Sequence, residues 1–358
     1  MKSYCKQLVF TREHVEDAFF DWSTNAAGKK NLHRVEVEYG NAETMIDEIT
    51  SELQSHSLKL APIRRYDYTE PTNGKVRRIG IESIKNQVLD YVAVRALEPF
   101  LANRIGFYQV SSVKGKGQLF ASKALSRWSK EGGYYAQLDI RQCYPSISHE
   151  VVLAIIKRHV KSRDVVYLVT TLLGMYEEGL EIGSYFSLKI AQLVLSEAYH
   201  FVETLPGIRR QIWYMDDIVL FSPNKRDLTR SVKLLIAYLA TQLGLSVKPW
   251  KVCKISEDEP IDLAGFVVRA NRTTLRSGIF LRARRAFARF DRDPSEKHSR
   301  QVCSYWGWMV HSNCHRFLVR NGHYSLFGRA KQVIRESDSD RKDAIGDTAG
   351  ASGDRRAA

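Results

Sequence analysis

Arg210-Gln211-Ile212-Trp213-Tyr214-Met215-Asp216-Asp217-Ile218-Val219-Leu220-Phe221 reads as two short strands, Arg210–Tyr214 and Ile218–Phe221, joined at Met215-Asp216-Asp217. Both flanks are apolar and aromatic, so the two acids fall at the tip of a buried hairpin. Upstream, apolar spacing predicts a helix over Ser187–Val202. Earlier still, Tyr134–Ile140 follows the Gly132-Gly133 break and reads as a buried strand with Asp139 at its end. Ser148 and Glu150 then cap a helix running through Val151–Val160. Downstream, Leu228–Leu243 places Val232, Leu235, Ile236, Leu239 and Leu243 on one face and stops at Gly244, with a strand expected at Leu245–Lys248. Strand, helix, helix, strand, strand, helix, strand is the order of a split βαβ sheet covered on one face by helices. The class is α+β, and this topology brings Asp139 together with the Asp216-Asp217 turn.

An Asp-Asp pair alone is usually a solvated turn. Here it lies between two apolar strands, follows an aromatic residue and has a third acid at another strand end, which suits hard-cation chemistry. Phosphoryl transfer from a nucleotide uses two Mg²⁺ ions held roughly 3.5–4 Å apart by such carboxylates. The bulk charge agrees. The 358 residues carry +14, and because residues 336–358 hold six acids against four bases, the preceding 335 carry +16. So basic a body calls for a polyanion, with nucleic acid ahead of an anionic membrane surface. No run of about 18 apolar residues occurs, and Met1–Thr11 lacks a signal core, so a cytoplasmic protein without membrane partners is expected. The five cysteines form no CxxC, which fits reduced thiols. Cys303, His311, Cys314 and His315 match no common zinc spacing. Residues 12–60 read as mainly helical with Thr11 as N-cap, and the tail from Glu336 reads as disordered.

The motifs resemble those of the reverse transcriptase family over about Lys75 to Arg316. Tyr214-Met215-Asp216-Asp217 matches its YxDD box, and Leu138-Asp139-Ile140-Arg141-Gln142-Cys143-Tyr144-Pro145-Ser146-Ile147 its first catalytic motif. The resemblance implies that Asp139 and Asp216 are the principal metal ligands, that Asp217 completes the set, and that two Mg²⁺ ions serve as cofactors with Mn²⁺ as a substitute. Tyr144 matches the aromatic residue that selects deoxynucleotides. Lys75-Val76-Arg77-Arg78-Ile79-Gly80-Ile81 resembles the basic fingers motif whose cations meet the triphosphate, which implicates Arg77 and then Arg78. Gly106–Gly117, with Ser111, Ser112, Lys114 and Lys116, resembles the second fingers motif and would follow a phosphate backbone. Gly183, in Glu181-Ile182-Gly183-Ser184, matches the glycine beside the template base and the nucleotide.

Ile182 resembles the aliphatic residue of diversity-generating retroelement enzymes, whereas Leu188 and Gln192 depart from that subgroup. Lys251 resembles the lysine that protonates departing pyrophosphate, and Lys248 competes for that role. Leu263-Ala264-Gly265-Phe266 resembles the primer-grip hairpin. Seven arginines and no acid lie between Arg269 and Arg289, among them Arg282, Arg284, Arg285 and Arg289, expected on template and primer. Tyr305-Trp306-Gly307-Trp308-Met309-Val310-His311 resembles the family's thumb. The implied fold is a right-hand polymerase: N-terminal helices and fingers in residues 1–133, a ferredoxin-like palm in 134–268 with inserted fingers elements, a helical thumb in 269–335 and a tail in 336–358. The implied activity is RNA-directed DNA synthesis from a primer and dNTPs, in mutagenic retroelement copying or alternatively in phage defence. A specific non-coding or template RNA and an accessory protein are the expected partners. A catalytically silent nucleic-acid-binding scaffold is the reading from a different class.

Overall fold

The computed structural model describes residues 3–6, 8–70, 74–256 and 258–353, with side chains described as far as residue 339 except at residue 27. The chain opens with α1 (Arg12–Thr24), α2 (Ala26–Tyr39), α3 (Ala42–Gln54), β1 (Arg64–Thr69), β2 (Val76–Ile81), α4 (Ile84–Arg104) and α5 (Gln118–Ser129). It continues through β3 (Tyr134–Asp139), α6 (Cys143–Ser146), α7 (His149–His159), α8 (Arg163–Leu173), α9 (Tyr185–Glu203), β4 (Arg210–Tyr214), β5 (Asp217–Ser222) and α10 (Lys225–Leu243). The last part holds β6 (Val252–Lys254), β7 (Ile261–Leu263), β8 (Phe266–Val268), β9 (Thr273–Leu275), α11 (Ser277–Arg292), α12 (Glu296–Val310), α13 (His315–Arg320) and α14 (His323–Gly353). Two compact units result: residues 1–113 with 133–253, and residues 114–132 with 254–358.

In the first unit the sheet order is β4-β5-β3-β6, with β5 antiparallel to both neighbours. This is the expected split βαβ arrangement. Register follows from burial. Ala136 pairs with Leu220 and Leu138 with Ile218, so these four share a face, and they join one core with Leu228, Val232, Leu235 and Leu239 of α10. Because strand side chains alternate, Gln137, Asp139, Asp217 and Val219 take the other face. Caps follow the sequence. Thr11 closes a capping box on α1, Ser148 accepts from the Val151 amide, and Gly244 ends α10 at φ 67°.

Boundaries differ from expectation in three places. Residues 245–248 make only one bridge, Ile140 with Val247, and the regular strand comes later at Val252–Lys254. Pro249 between them brings no N–H to a ladder. Residues 114–132, expected with the fingers, and β7 and β8, expected with the palm, belong to the second unit, where α5 packs on β7 and β8. The expectation of a disordered tail is also corrected, because α14 continues through residues 336–353. Gln332 bonds Glu336, Ser337 donates to Glu296 and Arg300 pairs with Asp338, which ties the start of that segment to α12. Residues 354–358 lie outside the described residues. The second unit has its own core of Phe287, Phe290, Val302 and Ala330, with Trp306 stacked on Phe327 at 4.2 Å.

Gly106 shows how tightly the first unit packs: a Cβ there would stand 2.2 Å from the buried Tyr199 ring. Gly106→Ala should therefore destabilise the protein by about 1–3 kcal/mol in urea unfolding. Combined with Tyr199→Leu, which vacates the space, it should cost less than the sum of the single changes.

Candidate active site

The hairpin turn carries local strain. Tyr214 pairs with Asp217, leaving Met215 and Asp216 as the two turn residues, and Met215 sits at φ 54°, where glycine is the usual occupant. The same hairpin register puts Asp217 opposite Asp139 across β3 and β5. The Asp216 carbonyl accepts from the Ile140 amide at 3.0 Å, pinning the turn to the end of β3.

A cleft of about 600 Å³ opens beside this turn, lined by Asp216, Tyr144, Arg77, Arg78, Ile182 and Lys248 among others. Lys248 donates from its backbone to the Asp139 carbonyl at 2.9 Å and from Nζ to Asp139 Oδ2 at 2.7 Å. Asp139 Oδ1 is buried without a hydrogen-bond partner. Burial pushes the Asp216 carboxyl up, Asp139 pushes it further, and Arg77 and Lys248 oppose the shift. The Tyr144 hydroxyl and the Cys143 thiol are both raised, chiefly by burial and also by the aspartate charge, and so stay protonated.

Four of the expected site residues, Asp216, Tyr144, Arg77 and Arg78, line the cleft, and Gly183 follows directly on its wall residue Ile182. Asp139 is outside the lining and is held by the lining residue Lys248. Lys251 is exposed and outside the lining, whereas Lys248 stands on Asp139 because its backbone continues the bridge from Val247. Among the described residues no group of three or more His, Cys, Asp and Glu side chains is drawn close enough to hold a metal ion. This covers both the three aspartates and the cluster of Cys303, His311, Cys314 and His315. At the aspartates, the Lys248 ammonium holds Asp139 Oδ2 at 2.7 Å. The donors themselves still suit a hard divalent ion, since Asp139 Oδ1 is free of other partners and the neighbouring carboxylate of Asp216 is within electrostatic reach.

Sequence reasoning missed the acids that answer the basic strands. Arg65 donates to Glu181 and Glu177, both at 2.9 Å, Arg78 pairs with Glu177 at 3.6 Å, and Arg77 pairs with Glu70. The cleft is thus lined by alternating charge rather than by cations alone. The run Glu177-Glu178 with Glu181, opposite Arg64-Arg65 and Arg77-Arg78, was the available signal.

In the second unit, Lys116 lies 6.0 Å above the Phe120 ring, and Lys114 precedes it at the start of the same segment. The α11 arginines do not form one stripe. Arg282 and Arg289 line a groove of about 360 Å³ with Gln301, Ser304 and Tyr305, whereas Arg284 and Arg285 line another of about 440 Å³ with Phe317 and His323.

Residues 67–268, more than half of the chain, match the family described as Reverse transcriptase (RNA-dependent DNA polymerase). The chain belongs to this reverse transcriptase family, and its fold is that of a right-hand polymerase. No match to a curated protein was found. Among solved structures it is similar to a C-terminally truncated apo telomerase from Candida tropicalis, at 13% identity over 66% of this chain and TM-score 0.43. It is also similar to the Candida albicans telomerase in complex with a telomeric RNA fragment, at 9% identity over 79% and TM-score 0.45. A further apo telomerase structure from Candida tropicalis gives 13% identity over 69% of this chain and TM-score 0.47. This chain spans 61%, 62% and 52% of those three structures, so the likeness is partial. Among the described residues no helix is long and apolar enough to cross a membrane.

Gly183 has φ 119°, and a Cβ there would lie 2.5 Å from the Gly80 carbonyl. Gly183→Ala should lower the unfolding free energy by about 1–3 kcal/mol. The matched control Gly307→Ala, inside α12 with open space around it, should be neutral or stabilising by less than about 1 kcal/mol in the same urea titration.

Proposed function

We propose that the protein is an active RNA-directed DNA polymerase that extends a primer 3′-hydroxyl with dNTPs in the cleft beside Asp139 and Asp216. The observation that carries this reading is a cleft within the family's domain that is lined by Asp216, the half-buried Tyr144, Arg77 and Arg78, with Asp139 held by Lys248 of its lining. Two Mg²⁺ ions bound at Asp139, Asp216 and Asp217 would lower the barrier by activating the 3′-hydroxyl and stabilising the pyrophosphate as it leaves. Arg77 and Arg78 would exchange their carboxylate partners for the incoming triphosphate, whose charge they offset better in a partly dry cleft. Tyr144, half-buried and protonated, would close the wall against a ribose 2′-hydroxyl. Lys248, bonded to Asp139, would give a proton to the departing pyrophosphate, a role for which the sequence resemblance offered Lys251 with Lys248 as its competitor. Lys114, Lys116 and the α11 arginines would follow template and primer backbones. Template RNA, DNA primer and dNTPs are the partners this reading requires, with a specific RNA as the native template.

Incorporation of labelled dNTPs on poly(rA)·oligo(dT) with Mg²⁺ tests this reading. Asp216→Ala should remove synthesis by about 10³-fold or more while the protein stays folded. A folded wild type that binds the duplex and makes no product on this or a cellular RNA would leave the scaffold reading in its place. Lys248→Ala removes the cation that faces Asp139 and should tighten Mn²⁺ binding several-fold in a titration followed by electron paramagnetic resonance.

For the biological role we propose error-prone copying of the diversity-generating kind, with defence-associated cDNA synthesis as the alternative. Its support is Ile182, an aliphatic side chain on the cleft wall where intron-encoded relatives carry glutamine. Sequenced cDNA should show misincorporation concentrated opposite template adenine, and Ile182→Gln should reduce it. Errors spread evenly over the four template bases would favour the defence role.

A further inference from the structure

Behind the cleft lies a pair of buried acids that the reaction does not use directly. Asp90, on α4, is fully buried, and Glu82, just beyond β2, is 5% exposed. Among the described residues neither forms an ion pair with a basic side chain. Asp90 Oδ2 accepts from the Ser184 hydroxyl at 2.7 Å and from the Phe186 amide at 2.9 Å. Its Oδ1 and Glu82 Oε1 are both buried with no other hydrogen-bond partner. Two adjacent carboxylates in so dry a place cannot both be ionised. Burial raises both carboxyls, Glu82 further than Asp90 because the Asp90 charge adds to it, while the Phe186 amide and the Ser184 hydroxyl favour charge on Asp90. The first turn of α9 adds its partial positive charge on the same side. One proton kept on Glu82 and turned toward an ionised Asp90 would satisfy both orphaned oxygens.

We infer that Glu82 and Asp90 form a one-proton carboxyl pair that acts as a positioning device, fixing the Leu180–Gly183 wall against which the nucleotide is bound. The inference rests on the proposed polymerase reading of the cleft. The linkage runs through Ser184, the N-cap of α9. Its hydroxyl oxygen donates to Asp90, accepts from the Ser187 amide at 3.0 Å and meets the Tyr176 hydroxyl at 3.1 Å. The Ser187 hydroxyl in turn accepts from the Glu181 amide at 3.1 Å. On its other side the same wall is held by β2, where the Gly80 amide donates to the Ile182 carbonyl at 2.8 Å. Glu82 lies two residues beyond Gly80, so one short stretch of chain clamps the wall directly and supports it from behind through Asp90. Releasing Ser184 would let residues 180–183 shift relative to Tyr144 and Arg77, and a displacement of about 1 Å at a reacting site costs up to about 100-fold in rate.

The test uses the full chain on primer–template. Asp90→Asn removes the charge that Ser184 and Phe186 share and should raise KM for dNTP by about 10-fold or more, with primer–template Kd within about twofold of wild type. Glu82→Gln retains a donor toward Asp90 and should stay near wild type, whereas Glu82→Ala should follow Asp90→Asn. Should Asp90→Asn fail to fold, Ser184→Ala should give the same rise in KM. Wild type minus Glu82→Gln infrared difference spectra at neutral pH should show a protonated carboxyl C=O band present only in the wild type. Absence of that band, or Glu82→Gln as damaging as Glu82→Ala, or an unchanged KM in both Asp90→Asn and Ser184→Ala, would overturn the inference. A wild type inactive on every template would remove the positioning role together with the polymerase reading, while the infrared band would still decide the shared proton separately.

Discussion

Register between β3 and β5 is the constraint on which the rest of the first unit depends. Ala136, Leu138, Ile218 and Leu220 must turn toward α10, because a slip of one residue would send all four to the opposite face. The same alternation then leaves Asp139 and Asp217 no choice but the face away from α10. The placement of the acids is a by-product of hydrophobic burial, and so it costs no separate ordering of the backbone. Met215 at positive φ is the exception, a strained turn residue held by pairing on both sides.

Once the acids are on that face, charge balance organises what surrounds them. Lys248 meets Asp139, Arg77 meets Glu70 and acts on Asp216, and Arg65 is shared by Glu177 and Glu181. Under the proposed reading, in which the cleft takes a polyanionic triphosphate and cations, such a lattice is an advantage, since each partner can be exchanged for a ligand group of the same sign. Ion pairs as exposed as Lys248 with Asp139 and Arg77 with Glu70 add little to stability, so the lattice can exchange partners at small cost to the fold. The Glu82–Asp90 pair extends the same economy into the core. There no basic residue is at hand, and a proton takes the place of a cation.

Much of this was legible along the chain. The βαβ order, the caps at Thr11 and Ser148, the helix stop at Gly244, and the turn at Met215-Asp216 all follow from local periodicity and residue chemistry, which do not depend on distant partners. The family motifs were likewise contiguous stretches. Less legible were features that join separate stretches. Lys248 and Lys251 are three residues apart and equal in chemistry, and only the bridge from Val247 to Ile140 selects Lys248 for Asp139. The arginines of α11 read as one basic run, yet the helical turn divides them between two grooves. The tail read as disordered by composition, yet contacts with Glu296 and Arg300 of α12 anchor its start.

By itself the sequence determined the α+β class, the hairpin that carries Asp216 and Asp217, and the place of Asp139 at a strand end, because each is written in the alternation of apolar residues over a few positions. Only the tertiary structure decided which charges compensate one another: Arg65 with Glu181 across 116 positions, Lys248 with Asp139 across 109, and Ser184 with Asp90 across 94. The physical reason is range. Backbone preference acts within a turn of helix or a pair of strands, whereas a buried charge is satisfied by whichever partner the folded chain brings within about 3 Å.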